Sequence, residues 1–235
     1  MTIDRLKKKY GFTASNISKI QKAVSDAENG SEGEVVFAIS PSSAFYTSWE
    51  LVFAGIFSIL SFVIMIPFSS RIEAFLKSLF WQSHSYFVPL FMLMVVLITF
   101  LVFFLIANIS FVDRLIVPHR AMKSFVEKKA LSQFVLSDIC STKKRTGILI
   151  FVSVLEHEVR IVCDKGILNA TNQAEWDDIA SELAKGFSEK DPTCSIVKAI
   201  ERCGALFKAN FPVSVDEPDE NELSDGVVFV EGGEI

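Results

Sequence analysis

The stretch that decides the fold is KKRTGILIFVSVLEHEVRIVCDKGI, from Lys143 to Ile167. It predicts two strands, 147–155 and 158–164, joined by a tight turn at Glu156 and His157. Both strands are almost continuously apolar, which is typical of strands buried on both faces of a central sheet. We therefore expect helices on both sides of this hairpin.

A third strand is predicted far upstream, at EVVFAIS from Glu34 to Ser40. It is short, rich in β-branched residues, and bounded by Gly33 and Pro41. A lone strand would leave its backbone polar groups without partners, so this segment must pair with the strands of the 143–167 hairpin. One sheet is therefore assembled from segments that lie far apart in the sequence.

Four segments with an apolar residue at every third or fourth position predict the helices that cover this sheet. The first is expected to begin after an N-cap at Thr13 and to stop at Gly30, and Pro118 is expected to start or kink the second. The segments are ASNISKIQKAVSDAENG (14–30), DRLIVPHRAMKSFVEKKALSQFVLSDI (113–139), NQAEWDDIASELAKGF (172–187) and SIVKAIERCGALFKANFP (195–212).

Two long apolar runs lie between the first strand and the hairpin, at residues 49–68 and 86–109. Each run has enough residues to cross a hydrocarbon core about 30 Å thick as a helix. The alternative, two buried helices of a soluble core, would need more surrounding protein than the chain contains. We therefore expect a transmembrane hairpin, with a short helix in the connecting segment 69–85 that lies at the outer membrane surface.

The flanking charges predict the orientation of this hairpin. Five basic residues follow the second run, at Arg114, Arg120, Lys123, Lys128 and Lys129, whereas the connecting segment carries two. The positive-inside rule then places both termini in the cytoplasm, in a multi-pass protein of the inner membrane. Neither run has a charged residue in its interior, which favours an anchor over a channel or transporter.

These elements define an α/β (α+β) sandwich, a small sheet covered by helices and interrupted after its first strand by a two-helix transmembrane hairpin. The expected divisions are 1–45 for the first helix and strand, 46–111 for the hairpin, 112–213 for the rest of the sandwich, and 214–235 for a tail. The last 22 residues contain eight Asp and Glu and no Lys or Arg. We expect this tail to be disordered, with GVVFV (226–230) as an optional docking strand.

Charge and cysteine spacing argue against two classes of protein. Without the tail, 23 basic residues face 20 acidic ones, a formal charge of +3, which is too weakly basic for a nucleic-acid binder. Cys140, Cys163, Cys194 and Cys203 have no C-x-x-C spacing, so free thiols in a reducing compartment are expected rather than a zinc site. No apolar signal segment follows the basic residues near the N-terminus, as expected for a cytoplasmic start.

The order of several motifs resembles the TPM domain family, and in particular its bacterial membrane-protein branch. The motifs are SEGEVVFAIS (31–40), RTGILIFVSVLEHEVRIVCDKGI (145–167), EWDDIASEL (175–183) and AIERCGALFKANFP (199–212). The resemblance covers residues 12–42 and 120–212 and implies a small α/β sandwich. It also implies one of three functions known in the family: acid phosphatase, binding of calcium or another divalent cation by acidic residues near the sheet ends, or assembly and repair of membrane complexes.

Asp164 and Glu34 are the candidate metal ligands, for calcium or magnesium. Asp164 closes the second strand of the hairpin beside a turn whose carbonyl groups could also act as ligands. Glu34 opens the first strand and would meet Asp164 if those strand ends lie together. The alternatives are an aspartate that orders its turn and a solvated strand end. The family's soluble members carry a T-G-x-G-x-E corner where this chain has CDKGI (163–167).

Other acidic residues and the histidines have simpler explanations. Asp177 and Asp178 fall in the first turn of a predicted helix, where negative charge favours the helix dipole. His157 is expected at the hairpin turn and His119 beside the membrane. Neither has the partners of a Ser-His-Asp site nearby in the sequence.

The segment CSTKKR (140–145) invites comparison with thiol phosphatases. Their loop has the spacing C-x-x-x-x-x-R, and this segment is one residue short and lacks the glycines that let backbone N–H groups surround a phosphate. Lys143, Lys144 and Arg145 are expected either at the strand entry or facing anionic lipid.

The leading functional hypothesis is a membrane-anchored binding or assembly module, with a divalent cation as an option. A protein partner is expected in the membrane or cytoplasm, and Ser58 and Ser61 offer it a contact within the membrane. The alternative is a metal-dependent phosphatase acting on phosphomonoesters. Such enzymes need several converging carboxylates or histidines, and the sequence offers two, so no catalytic residue is assigned.

Overall fold

The computed structural model describes residues 1–79, 84, 86–142, 144–188, 192–212, 223 and 226–233. The chain divides into two compact units. One comprises Met1–Phe45 together with Arg120–Ile235, and the other comprises Tyr46–His119. The first unit is therefore built from two segments between which the second unit is inserted.

The first unit contains a four-stranded sheet with the order β3-β2-β1-β4. The strands are β1 (Glu34–Ser40), β2 (Gly147–Ser153), β3 (Glu158–Cys163) and β4 (Val227–Phe229). β1 is parallel to both β2 and β4, whereas β3 is antiparallel to β2. The upstream strand therefore pairs with the hairpin, as the sequence predicts.

Ten α-helices accompany the sheet within the described ranges. They are α1 (Ile3–Lys9), α2 (Ala14–Glu28), α3 (Thr47–Met65), α4 (Ser69–Leu79), α5 (Phe87–Ala107), α6 (Ser110–Ile116), α7 (His119–Leu136), α8 (Lys165–Ala170), α9 (Gln173–Ser188) and α10 (Pro192–Asn210). The Thr13 side chain accepts a hydrogen bond from the Asn16 N–H at 3.3 Å, and Gly30 has a φ of +81°. α2 therefore begins and stops where its capping residues predict.

The helices α2, α9 and α10 cover one face of the sheet with the larger apolar core. Phe37 of β1 is buried there together with Trp176 of α9 and Phe207 of α10, and the last two rings have centroids 6.4 Å apart. An ideal Cβ on Gly204 would lie 2.7 Å from the Ala27 Cα. The absence of a side chain at Gly204 therefore lets α10 approach α2 closely. This explains the glycine in the AIERCGALF motif.

The helix α7 covers the opposite face. Val36 and Phe151 of the central strands pack there against Val126, Ala130 and Phe134. Every residue of β1 and β2 is buried, because helices lie on both faces. The two-sided burial predicted for both strands of the hairpin is therefore confirmed for β2. It is wrong for β3, which lies at the edge of the sheet and is fully buried only at Val159.

The second unit is formed by the pair α3 and α5. The rings of Phe57 and Phe103 stack with centroids 4.2 Å apart. The Ser58 hydroxyl donates to the Val96 carbonyl oxygen at 3.1 Å, and the Ser61 hydroxyl donates to the Ser58 carbonyl oxygen at 2.8 Å. Both hydroxyls that were expected to offer a partner contact are thus already bonded within this unit.

Both helices are long and apolar enough to cross a membrane, by length and composition. α3 ends at Met65, three residues before the predicted limit, because Pro67 belongs to a 3-10 turn. In the connecting segment, α4 is the predicted short helix, with Leu76 buried and Phe75 exposed. Phe80 and Trp81 lie outside the described residues.

The structure adds two helices to those predicted, α1 and α8. The strand β4 lies within the predicted docking strand 226–230, and its residues Val227–Phe229 pair with residues 37–39 of β1. The predicted docking strand is therefore present, and its backbone pairs with the edge of β1. The predicted disorder of residues 214–222, 224, 225, 234 and 235 concerns positions outside the described residues.

Candidate functional site

Glu34, Gly147 and Asp164 form a row across one end of the sheet. Glu34 opens β1 directly opposite Gly147, the first residue of β2. The Asp164 N–H, immediately after β3, donates to the Gly147 carbonyl oxygen at 3.0 Å. The two predicted ligands therefore share a sheet end, with β2 between them.

Asp164 is buried, with 5% of its surface exposed. Its Oδ1 accepts from the Lys165 N–H at 2.6 Å and lies 3.8 Å from Nη1 of Arg145. Asp164 thus caps the short helix α8, as expected for the alternative in which this aspartate orders its turn. Its Oδ2 is buried and accepts no hydrogen bond within the part of the chain that the structure describes.

Ile139 separates the two predicted ligands. A Cβ built on Gly147 would collide with the Ile139 side chain, so Ile139 covers the middle of the row. Adjacent strands lie about 4.8 Å apart, which places the backbones of Glu34 and Asp164 roughly 10 Å from each other. Calcium takes six to eight oxygen ligands, as a rule, and magnesium about six.

The donor set at this sheet end does not fit a metal centre shared by Asp164 and Glu34. Among the described residues, no group of three or more His, Cys, Asp and Glu could hold a metal ion. The unsatisfied Oδ2 of Asp164 favours a cation. The metal assignment therefore stays a prediction.

The corner that follows Asp164 needs glycine at position 166. A Cβ there would lie 2.5 Å from the Arg145 carbonyl oxygen and 2.9 Å from that of Lys144. The Gly166 N–H donates to the same Arg145 oxygen at 3.0 Å, and Arg145 has a φ of +58°. The CDKGI motif is therefore a close backbone contact between the two ends of the 145–167 hairpin.

The opposite end of the sheet holds a buried set of polar side chains that sequence reasoning missed. Ser40 and Ser153 end β1 and β2 side by side. The hydroxyls of Ser43 and Ser153 lie 2.7 Å apart. Glu156 accepts from the Ser43 N–H at 2.8 Å and from the Ser153 hydroxyl. Together with Lys129, these four residues form what we call the polar cluster.

Lys129 is 4% exposed and its ammonium is surrounded by backbone oxygens. It donates to the carbonyl oxygens of Ser42, Glu231 and Gly233 at 3.0, 2.6 and 2.5 Å. Burial lowers the pKa of the Lys129 ammonium, and the negative charges of Glu156 and Glu231 oppose this effect. The three hydrogen bonds give this lysine a structural role.

The sequence contained a signal for part of the polar cluster. Val126, Lys129, Ala130, Gln133 and Phe134 follow the i, i+3, i+4, i+7, i+8 spacing of one helical face, and all five are buried. A lysine within such a stripe requires a buried partner for its charge. Glu156 gave no comparable signal, because an acidic residue at a hairpin turn is usually solvated.

A surface cleft of about 740 Å³ runs along β3. The strand forms its floor, α7 contributes one wall with Lys123 and Glu127, and α9 contributes the other with Asp177 and Ala180. We call it the edge cleft. It is open to solvent along the length of the strand.

Three of the other charged residues considered as candidates form ion pairs within the first unit. Lys144 pairs with Glu32 at 2.6 Å, and Lys143 lies outside the described residues. Asp178 pairs with Arg202 at 2.8 Å. The expectation that Lys144 and Arg145 sit at the strand entry agrees with these contacts and with the Arg145 position beside Asp164.

His157 and the cysteines also have structural explanations. His157 is exposed in the turn between β2 and β3, with a φ of +54°. All four cysteines are free, as predicted. Burial, with a smaller contribution from Asp177, raises the pKa of Cys163 to about 12, and burial also raises the pKa of Cys203.

Comparison with known proteins agrees with this architecture. The architecture is that of a mixed sheet between helical layers, with an apolar helical pair inserted after the first strand. Residues 114–206 match the model of the TPM domain. The matched segment is similar to that domain and includes β2, β3 and most of the helices that cover the sheet. The strand β1 lies outside the matched residues, yet it pairs with β2 along its whole length.

A solved structure resembles most of the chain. The NMR structure of the BA42 protein from the psychrophilic bacterium Bizionia argentinensis has a TM-score of 0.53 and 17% sequence identity, over 93% of this chain and 94% of that one. At this identity the likeness shows the fold. No curated protein matches the sequence.

Proposed function

We propose that this chain is a membrane-anchored TPM domain protein that acts as a cytoplasmic binding or assembly module. The observation that carries the anchor is the apolar outer surface of the α3 and α5 pair. Ile59, Leu97 and Leu105 are 67%, 60% and 60% exposed, and their neighbours on the same surfaces are apolar too. A continuous apolar surface of this length is stable when lipid covers it.

The sandwich supports a binding role through its edge cleft. The cleft lies beside a strand whose outer side carries no further strand among the described residues. The polar cluster at the sheet end, by contrast, is closed by its own hydrogen bonds. The edge cleft is open to a partner, whereas the side chains of the polar cluster are hydrogen-bonded within the first unit. This contrast favours a binding role over a catalytic one.

The proposed location is the inner membrane, with both termini in the cytoplasm. Two spans return the chain to the side from which it starts. Arg120 and Lys128 remain at the surface beyond α5, whereas Lys129 is buried and does not face the lipid headgroups. The orientation rests on the positive-inside rule, to which Lys129 still contributes while the chain is being inserted.

Cysteine labelling tests this arrangement with the full chain. Ser78 is exposed in α4 and Cys194 is exposed in α10. In bacterial cells stripped of the outer membrane, an impermeant maleimide should label the S78C variant at once. It should label Cys194 only after the inner membrane is permeabilised. Labelling of Cys194 in intact cells would reverse the orientation, and extraction of the chain by alkaline carbonate would contradict the anchor.

The binding role is tested by the size of the complex in native membranes. The tagged full chain, expressed at its natural level and solubilised in mild detergent, should migrate on a blue native gel well above the chain plus its micelle. Migration as a monomer would contradict a binding or assembly role.

A divalent-cation-dependent phosphatase is the second candidate, favoured by the unsatisfied Oδ2 of buried Asp164. The test combines calorimetry with calcium or magnesium and hydrolysis of p-nitrophenyl phosphate by the full chain. Asp164→Asn should abolish both signals if this candidate is right, whereas Asp26→Asn, an exposed aspartate of α2, should leave them unchanged. Signals that persist in D164N would remove Asp164 from the site.

A further inference from the structure

The outer edge of β3 is an open edge of the sheet. β3 pairs with β2 on its inner side, and none of the strands in the described ranges pairs with its outer side. Asp164 and Gly147 form a hydrogen-bonded pair, and such pairs alternate along an antiparallel ladder. Val159, Ile161 and Cys163 therefore direct their backbone N–H and C=O groups outward, into the edge cleft.

The cleft leaves space for one more strand along this edge. Its walls are lined near β3 by small side chains, namely Ala130 of α7 and Ala180, Ser181 and Ala184 of α9. Adjacent strands lie about 4.8 Å apart, so an added strand would lie between the two helices. Sheet edges that are exposed in this way are templates for pairing with an extended chain.

Arg160 supplies a charge preference to this surface. Its side chain lines the cleft, its Nε is buried, and that N–H has no acceptor within the described residues. The cleft is also lined by Glu127, Glu158 and Asp177, and Lys123 lies 3.7 Å from Glu158. The attraction for a carboxylate is therefore confined to the position beside Arg160. A carboxylate is the group that best satisfies a guanidinium, because it can accept two parallel hydrogen bonds.

We propose that the edge cleft binds an extended segment of a partner protein, which adds a strand to β3 and places an Asp or Glu carboxylate against Arg160. Main-chain hydrogen bonds to Val159, Ile161 and Cys163 hold the segment, and the carboxylate selects it. This inference rests on the proposed binding function and names the chemistry of its partner.

Selection from random peptides tests the proposal. Dodecapeptides displayed on phage are selected against the full chain in detergent micelles, and the enriched peptide is synthesised and measured by fluorescence anisotropy. The selection should enrich an acidic residue flanked by alternating β-branched residues. Hydrogen exchange should show protection of the Val159, Ile161 and Cys163 amides when the peptide binds. Enrichment of no peptide, or protection elsewhere, would overturn the proposal.

Charge reversal separates recognition from a structural role of Arg160. Arg160→Gln should weaken peptide binding about tenfold or more, whereas Arg202→Gln, an exposed arginine of α10, should leave it unchanged. Arg160→Glu should restore affinity for the same peptide with Lys in place of its acidic residue. Equal binding by wild type and R160Q would overturn the carboxylate contact.

Proline at the edge tests the added strand. Ile161→Pro removes an outward N–H without removing a β2–β3 hydrogen bond, and should abolish binding. If this variant does not fold, the amide protection in the wild type decides. If the wild-type chain forms a dimer through β3, the occupant of the cleft is a second copy of the chain, and the proposed partner is wrong. If only the strand addition is wrong, these peptide tests fail but the large complex is still seen on the blue native gel. If the proposed binding function is wrong, that complex is not seen either.

Discussion

The Lys129 ammonium donates to the Glu231 carbonyl oxygen at 2.6 Å, which joins α7 to the segment that follows β4. The same ammonium reaches Ser42, just after β1, and Gly233. One buried cation thus holds three backbone oxygens from two distant segments. It closes the C-terminal ends of the central strands, a region that often forms a ligand site in parallel sheets.

Replacing Lys129 with methionine should destabilise the first unit by about 2–3 kcal/mol, because three buried carbonyl oxygens lose a charged donor. Thermal unfolding of the full chain in detergent, followed by the fluorescence of buried Trp176, measures the change as a lower midpoint. Lys128→Met, at the exposed neighbouring position, is the matched control. Equal midpoints for the two variants would contradict a structural role for Lys129.

Deleting residues 226–235 should show that β4 and Lys129 act together. The deletion removes β4 and two of the three oxygens that the Lys129 ammonium contacts. In a double-mutant cycle, the loss of stability in the combined variant should therefore be smaller than the sum of the losses caused by the deletion and by K129M separately, by about 1 kcal/mol or more. Full additivity would mean that the tail does not depend on this lysine.

The central part of the fold could be predicted because both faces of β1 and β2 are buried. Continuous apolar strands carry that information locally, and each amphipathic helix carries its own stripe. The strand β4 was harder to place. Its three residues, Val227–Phe229, follow an acidic segment, and its stability comes from β1 and from Lys129 rather than from its own sequence.

The polar cluster shows why much of the site chemistry escaped prediction. Lys129 and Glu156 are separated from their partners by long stretches of chain, Lys129 from Ser42 and Glu156 from Ser43. A charged residue at a turn is usually solvated, so local pattern assigns Glu156 to the surface, whereas the apolar stripe of α7 indicates that Lys129 is buried but not which oxygens it contacts. The partners of both follow only from the parallel pairing of β1 with β2, which brings Ser40 next to Ser153.

Glu156→Ala should cost about 2–3 kcal/mol of stability, since it leaves the buried Ser43 N–H and Ser153 hydroxyl without their acceptor. Chemical denaturation of the full chain in detergent, read by Trp176 fluorescence, gives the change in midpoint. Glu127→Ala, at an exposed position of α7, should change the midpoint by no more than about 0.5 kcal/mol. A small effect at Glu156 would show that water replaces its hydrogen bonds.

Cys163 should make stability fall as the pH rises above 9. Its pKa is about 12 in the folded chain against an ordinary 9.0, so folding retains a proton that the unfolded chain releases. Its stabilising contribution is complete below pH 9 and is lost toward pH 12, at up to about 1.4 kcal/mol per pH unit. Between pH 8.5 and 10.5 the unfolding midpoint should fall less in Cys163→Ala than in the wild type. Parallel curves would contradict the raised pKa.

Gly166→Ala should disturb the corner at the end of β3. The added Cβ would lie 2.5 Å from the Arg145 carbonyl oxygen, and because that atom belongs to the backbone, the 144–146 segment must move. We expect a loss of about 1–3 kcal/mol, within the range for overpacked sites, together with faster exchange of the Gly147 and Asp164 amides. Gly55→Ala in α3, where nothing lies within 4 Å of the new methyl group, should be neutral or stabilising because alanine favours helices. If both glycines tolerated alanine equally, the close contact between the two ends of the 145–167 hairpin would not constrain the fold.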